Sequence, residues 1–190
     1  MMKHIKKSRC GFVVIKFNID AEDYFVMRQN PNWKDMNFVG GHEIPRDGGS
    51  LERAARRELI EEVPALRAFK CFELAPLTND ISYGPIFSRS AGCQAEYLLQ
   101  FFLLRFSDTP KPLFEALRTR TLNTLVSQRD LLAQRKYRIS GLVNVLNDTL
   151  PGGLRSIPYS WPEDVGGTLR DAGLLWQHQQ ELALKSSRLG

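Results

Sequence analysis

Cysteine is scarce in this chain. Cys10, Cys71 and Cys93 are scattered through 190 residues. An odd number without paired spacing excludes a disulfide framework and a cysteine-rich metal site, and points to a reducing cytosol. Each cysteine reads better as a small core residue than as a nucleophile. No apolar run is long enough to span a membrane. Residues Met1 to Arg9 are basic and an apolar run follows at Gly11 to Ile15. Lys16 interrupts that run and no small-residue cleavage site follows, so the stretch reads as a frayed start leading into a strand, not a secretion signal. Internal repeats and low-complexity segments are absent. So are the signatures of zinc-finger and RNP-type nucleic-acid modules.

What is present is ordinary for a globular domain: 43% hydrophobic and 25% charged residues. The length suits one well-buried domain with an appended element. Formal net charge is +5 and the isoelectric point about 9.2. That balance favours anionic partners such as nucleotides without demanding them.

One stretch is denser in chemistry than the rest: Arg57-Glu58-Leu59-Ile60-Glu61-Glu62-Val63. It ends a predicted helix over Ser50 to Val63, with Ser50 as N-cap and Glu52 at the positive end of the helix dipole. On a helical wheel with Leu51 at zero, Ala54, Ala55, Glu58 and Glu62 fall within about 60°, and Glu61 lies near 280°. The stripe that begins apolar therefore ends in carboxylates. Like charges one turn apart cost roughly a few tenths of a kcal/mol even in water, and more on a face turned inward. A hard divalent cation is a natural partner, and Mg²⁺ takes carboxylates together with substrate phosphates. Arg57, one turn before Glu61, can orient it. A solvated charged face is the bland alternative.

The residues upstream favour the cation. Asn37-Phe38-Val39-Gly40-Gly41-His42 and then Glu43 to Ser50 make a glycine-rich loop before the acidic helix. Loop and helix together resemble the Nudix box of the Nudix hydrolases: Gly, five residues, Glu, seven residues, then Arg-Glu-apolar-any-Glu-Glu-any-Gly-apolar. The match is close from Arg57 through Glu62. Counting forward from Gly41 puts Asp47 at the box Glu, while counting back from Arg57 puts Gly49 there. Gly48-Gly49 thus reads as a small insertion, with Asp47 standing in for the Glu. Pro64 stands where the family has Gly; it cannot adopt the left-handed helix end, but still stops the helix.

Along the chain, strands are predicted at Cys10 to Phe17, Asp23 to Gln29 and Ala68 to Pro76. Asn18 to Glu22 and Asn30-Pro31-Asn32 read as turns, and Trp33 to Val39 leads into the glycine pair. Thr78 to Cys93 reads as a long polar loop. Gln94 to Phe106 is a nearly continuous apolar run, the mark of a strand buried on both faces. Leu113 to Arg118, Leu122 to Gln134 and Ser140 to Leu150 have helical spacing, and Pro151-Gly152-Gly153 stops the last. This is an α/β pattern, and the resemblance implies the Nudix α/β/α sandwich with a mixed sheet. The expected division is a Nudix-like domain over 1–153 and a C-terminal extension over 154–190. The extension holds a helix at about Thr168 to Lys185, with Ala172, Leu175 and Leu182 on one side and Trp176 at its margin. That helix suits packing on the domain or a homodimer contact.

The resemblance implies a reaction: metal-dependent hydrolysis of the diphosphate linkage in a nucleoside diphosphate joined to another group X. It makes Arg57, Glu58, Glu61 and Glu62 the catalytic set. Glu58, Glu61 and Glu62, with the Gly40 carbonyl, would hold Mg²⁺ or Mn²⁺. One carboxylate is open to a role as general base. Glu96, beside the variable loop, is a candidate for a further carboxylate, against the plainer reading of a solvated strand end. Trp33, Tyr83 and Phe87 are candidates to stack on a base, and Arg28 and Arg89 to hold phosphate. Aromatics are more often core, and surface arginines more often solvated. His42 is either a phosphate contact or an ordinary loop histidine. The expected partner is a nucleotide-like diphosphate in the cytoplasm, with no membrane, and with nucleic acid only as capped RNA. The alternative is a Nudix-like nucleotide-binding or regulatory domain without turnover, motivated by Asp47, the inserted glycines and Pro64. Retention of Arg57 and all three glutamates favours the enzyme.

Overall fold

The computed structural model describes residues 5–67, 72–89, 91–118, 122–134 and 136–171. The chain begins with a long strand, β1 (Lys6–Val14), which runs through Ile15 into β2 (Lys16–Ile19). Asp20 and Ala21, both at positive φ, turn it back into β3 (Glu22–Gln29). The strand thus starts four residues before the expected Cys10. The basic residues Lys6 to Arg9 are therefore paired backbone, not a frayed start, because they lie beside β8 (Cys93–Phe106) in parallel register. After β4 (Met36–Asn37) and β5 (Val39–His42), helix α1 (Leu51–Glu62) falls where the capping pattern put it. Ser50 accepts from the Arg53 amide at 3.2 Å, as an N-cap should.

Two sheets form. In the first, β5, β1, β8 and β6 (Phe72–Pro76) lie in that order, with β7 (Ile81–Ser88) beside the first half of β8. The β1–β8 pair is parallel and the others antiparallel. In the second, β3 is flanked by β2, β4 and β9 (Asn123–Ser127). β8 is the buried central strand its apolar run predicted.

Alternate strand residues feed two cores. Val13, Ile15, Phe102 and Leu104 point to one, which also holds Leu51, Ala55 and Leu59 of α1 and Leu113 and Phe114 of α2 (Lys111–Arg118). Phe12, Val14, Leu99, Phe101 and Leu103 point to the other, with Leu131 of α3 (Gln128–Ala133) and Val143 and Leu146 of α4 (Gly141–Thr149). Mixed strands lie between helices on both sides, as an α/β/α arrangement requires.

Two further expectations are corrected. The segment read as a polar loop, Thr78 to Cys93, contains strand β7. Gly84-Pro85 breaks its alternation, but a register shift between Tyr83 and Ile86 absorbs the proline, and an edge strand tolerates the missing amide. Leu122 to Gln134 is not one helix. Thr124, Leu125 and Val126 pair with β3, and only from Ser127, which caps α3, does the chain coil. Cross-strand pairing outweighed local helical spacing there.

Residues Leu154 to Leu169 pack on the rest of the chain: Leu154 and Ile157 lie in the second core, Val165 and Leu169 in the first. A short helix, α5 (Gly166–Asp171), ends the described chain. Ala172, Leu175, Trp176 and Leu182 of the expected C-terminal helix lie outside the described residues, as does Cys71. Among the described residues, no helix is long and apolar enough to cross a membrane.

Candidate functional site

Strand β5 is an edge, and its open side faces the carboxylates of α1. The carbonyl of His42 accepts from Arg57 Nη2 at 2.8 Å. The amide of Gly40 donates to Glu62 Oε2 at 3.0 Å. Between them, Gly41 lies so close to Glu58 that an added Cβ would fall 2.7 Å from the carboxylate. The glycine pair is thus a matter of space: the helix rests on bare backbone.

Arg57 is the hub. Its Nε and Nη2 reach the two oxygens of Asp47, each at 3.2 Å. Its Nη1 donates to Glu58 Oε1 at 2.8 Å and to Glu61 Oε2 at 3.4 Å. Asp47 is buried and also accepts from the Ile44 amide at 2.9 Å. The Arg57 guanidinium and that amide hold its carboxyl below the usual aspartate range. The same hydrogen bond to Asp47 raises the guanidinium's own proton affinity. Asp47 therefore makes a two-pronged contact on Arg57. Gly48 and Gly49, at φ 62° and 80°, turn the chain from Asp47 to the Ser50 cap in two left-handed steps. That geometry is cheap only for glycine.

Glu62, the last helical residue, is held differently. Arg28 Nε of β3 lies 2.6 Å from its Oε1. Burial nonetheless lifts its carboxyl to about 7; the Gly40 amide and Arg28 oppose the rise, and Glu58 and Glu61 add to it. Pro64 does end the helix without a left-handed residue. Val63 still donates to Leu59, and the Glu62 carbonyl is satisfied by Asn123 Nδ2 of β9 at 2.8 Å.

Four carboxylates, Asp47, Glu58, Glu61 and Glu62, thus share two guanidiniums, Arg28 and Arg57. Burial is the main cause of the raised proton affinity of Glu62, and the neighbouring Glu58 and Glu61 add to it. A hard divalent cation fits this donor set by charge and by oxygen chemistry. Among the described residues no three acidic, histidine or cysteine side chains already converge on one point; the two arginines hold the oxygens. Glu61, half-exposed and on the longest of these bonds, is the most readily turned.

The remaining predicted residues scatter. Arg28 joins the site through Glu62. Trp33 and Arg89 come together elsewhere, the guanidinium 5.6 Å from the ring centre, and Phe87 is 62% exposed on β7. Tyr83 packs in the second core, with its hydroxyl against Gly141. Glu96 stands across from Lys7 in the β1–β8 register. Cys10 lies buried in the second core, and that burial pushes its thiol up to about 12.

Sequence reading passed over a cleft of about 480 Å³ where β1, β5 and β8 meet. Lys6, Lys7, Arg9, His42, Glu43 and Tyr97 contribute to its wall. The signal was the N-terminal run of basic residues, set aside as frayed. Ser8 Oγ lies 2.7 Å from His42 Nδ1, and burial with the nearby Lys6 charge lowers the imidazole's proton affinity.

A family model described as the NUDIX domain matches residues 7–143. No curated protein sequence matches the chain. Among solved structures, the Ap4A hydrolase of C. elegans is 15% identical over 68% of this chain and 87% of that one, with a TM-score of 0.47. A NUDIX hydrolase from Nitrosomonas europaea is 18% identical over 81% and 97%, with a TM-score of 0.47. A MutT structure from work on Aliivibrio salmonicida and Vibrio cholerae is 22% identical over 74% and 93%, with a TM-score of 0.41. The NUDIX match covers well over half of the 190 residues, and on that ground the chain belongs to the Nudix domain family.

Proposed function

We propose that this chain is a metal-dependent hydrolase that cleaves the diphosphate linkage of a nucleoside diphosphate joined to another group X. The observation that carries the reading is the Arg57 hub: one guanidinium orders Asp47, Glu58 and Glu61 along the open edge of β5. Glu58, Glu61 and Glu62, with the Gly40 carbonyl, would hold Mg²⁺ or Mn²⁺. What the bound ion supplies is positive charge beside the diphosphate oxygens and acidity for the attacking water.

The chain's own groups do the rest. Arg57 gathers the carboxylates along the edge of β5, where a bound cation would draw the Glu58 and Glu61 oxygens away from the guanidinium. Arg28 steadies Glu62 from the neighbouring sheet. The water oxygen bonds to phosphorus, the bridging P–O bond breaks, and the proton passes to a carboxylate of the cluster. Asp47, Gly48-Gly49 and Pro64, the departures from the family pattern, each find a partner or a turn that leaves the hub intact, which supports turnover over a silent binding domain.

The test is hydrolysis of a panel of nucleoside diphosphate derivatives with Mg²⁺, with Mn²⁺ and with chelator. Glu61→Gln and Glu62→Gln are each expected to lower kcat by about 10²-fold or more, as loss of charge stabilisation at a reacting centre does. Turnover that survives chelator, or either substitution, would sink the reading. Ligand binding without turnover of any compound would favour the regulatory alternative.

A further inference from the structure

The segment between β5 and α1 carries the inserted glycines, and a residue outside it holds both of its ends. Alternate residues of β1 face α1. Gly11 is one of them: an added Cβ would collide with the Leu51 carbonyl, so the start of α1 rests on bare strand. Arg9, two residues earlier on the same face, is thereby brought to the turn that enters the helix. Its Nη2 donates to the Gly49 carbonyl at 3.1 Å. Its Nε lies 3.2 Å from Glu43 Oε2. The backbone reinforces the pair: the Glu43 amide donates to the Arg9 carbonyl at 2.8 Å, one residue past the Cys10–His42 pair of the β1–β5 ladder.

Glu43 leads out of β5, and Gly49 leads into Ser50, the cap of α1. Between them one short turn, Pro45–Asp47, carries Asp47 to Arg57. Gly48 and Gly49, both left-handed, give the return path the most conformational freedom two residues can have. That freedom must be removed if Asp47 is to meet both Nε and Nη2 of Arg57. A guanidinium suits the task, because its rigid fork serves two acceptors at once where an ammonium is a single point charge. The Arg9 side chain is 44% exposed, and a pair so solvated adds little to stability. Its worth lies in geometry.

We propose that Arg9 is a positioning residue: it fixes both ends of the 43–49 segment and so holds Asp47 against Arg57. Its effect on rate rests on the hydrolase reading above; its effect on Arg57 does not.

On the full chain, Arg9→Gln, Arg9→Lys and Glu43→Gln are compared with Arg53→Gln, which removes a cation beside Gly48 without touching the brace. Exchange of the Arg57 Nε proton is followed by NMR without metal or substrate. Steady-state kinetics are run with Mg²⁺ on the panel of nucleoside diphosphate derivatives, and melting curves check the fold. Arg9→Gln should melt close to the native chain and exchange the Arg57 Nε proton about tenfold faster, as a local opening allows. Its kcat should fall about tenfold with KM little changed, less than the roughly 10²-fold that a 1 Å misplacement can cost. Arg9→Lys, which keeps the charge but not the fork, should lose nearly as much. Glu43→Gln, which keeps the Gly49 bond, should lose less, and Arg53→Gln should match the native chain. An Arg57 Nε proton that exchanges as slowly in Arg9→Gln as in the native chain would overturn the inference. So would a raised KM at constant kcat, the mark of a substrate contact, an equal loss in Arg53→Gln, the mark of a general charge effect, or a collapse of the melting temperature, the mark of a fold residue. If no compound turns over while the Nε proton still responds to Arg9, the brace stands and the hydrolase reading falls.

Discussion

Two cations organise this molecule, and they do so in opposite ways. Arg57 gathers three carboxylates and one carbonyl at a surface the solvent reaches. Lys16 is 1% exposed; its Nζ donates to the carbonyls of Leu154, Arg155 and Ile157 at 3.0–3.2 Å and pairs with Asp23 at 2.9 Å. Phe25 and Tyr159 flank it with their rings. One ammonium against one carboxylate is balanced, and the carbonyl dipoles complete its shell without further charge. The Lys16 clasp therefore fastens residues 154–160 to the sheets and stops there. Around Arg57 negative charge is in excess and faces outward, an arrangement that costs free energy until a cation comes. A closed, balanced ion site reads as structure; an open, unbalanced one reads as chemistry.

The sharpest way to break that contrast is to remove each cation. Lys16→Met keeps the length and leaves Asp23 and three carbonyls without their partner. It should cost about 3–5 kcal/mol, the range for breaking a buried pair from one side, seen as a lower melting temperature. Turnover per folded molecule should be unchanged. Arg57→Lys should do the reverse. The charge stays but the planar fork is lost, so kcat should fall roughly 10–100-fold, about 1.4–2.7 kcal/mol, while the melting temperature barely moves. A mirror-image result would show that the roles are exchanged.

Acid titration sharpens the same point. The folded pKa of Glu62, about 7, lies above its ordinary value of 4.5. The folded chain then binds that proton more tightly than the unfolded chain does. The stability gained is complete below about 4.5 and is lost as pH rises through about 7. Without metal at pH 8, Glu62→Gln should be the more stable protein, by about 1–2 kcal/mol after allowance for a partly solvated carboxylate. The gap should close toward pH 4.5, and Mg²⁺ should erase it at pH 8. Melting curves across pH check this; a gap independent of pH would show that burial does not raise the Glu62 carboxyl. The smallest effect belongs to the clasp. The Tyr159 hydroxyl donates to Asp23 at 2.8 Å, so Tyr159→Phe should cost about 1 kcal/mol in a denaturant titration and leave turnover alone.

Legibility followed the range of each interaction. The α1 helix, its cap at Ser50, its apolar-to-acidic stripe and the buried run of β8 could be read directly, because each is written within a few consecutive turns or strand residues. The helical spacing of α4 was equally local, and the structure adds Ser140 as its cap. β7 and β9 were not, because Gly84-Pro85 and the spacing around Leu125 argue against strands until β8 and β3 offer them edges. The Lys16 clasp joins residues more than a hundred positions apart, and nothing near Lys16 announces it.

By itself the sequence determined which residues would carry the charge: Arg57, Glu58, Glu61 and Glu62 at helical spacing, after two glycines that let a helix approach bare backbone. The tertiary structure alone decided how that charge is shared. It set Asp47 under Arg57 by way of the Gly48-Gly49 turn, brought Arg28 from the other sheet to Glu62, and made one wall of a cleft from the basic start of β1. Helical periodicity is a local property of the chain. Which guanidinium lies 3 Å from which carboxylate depends on strand register and sheet packing, which only the folded chain possesses.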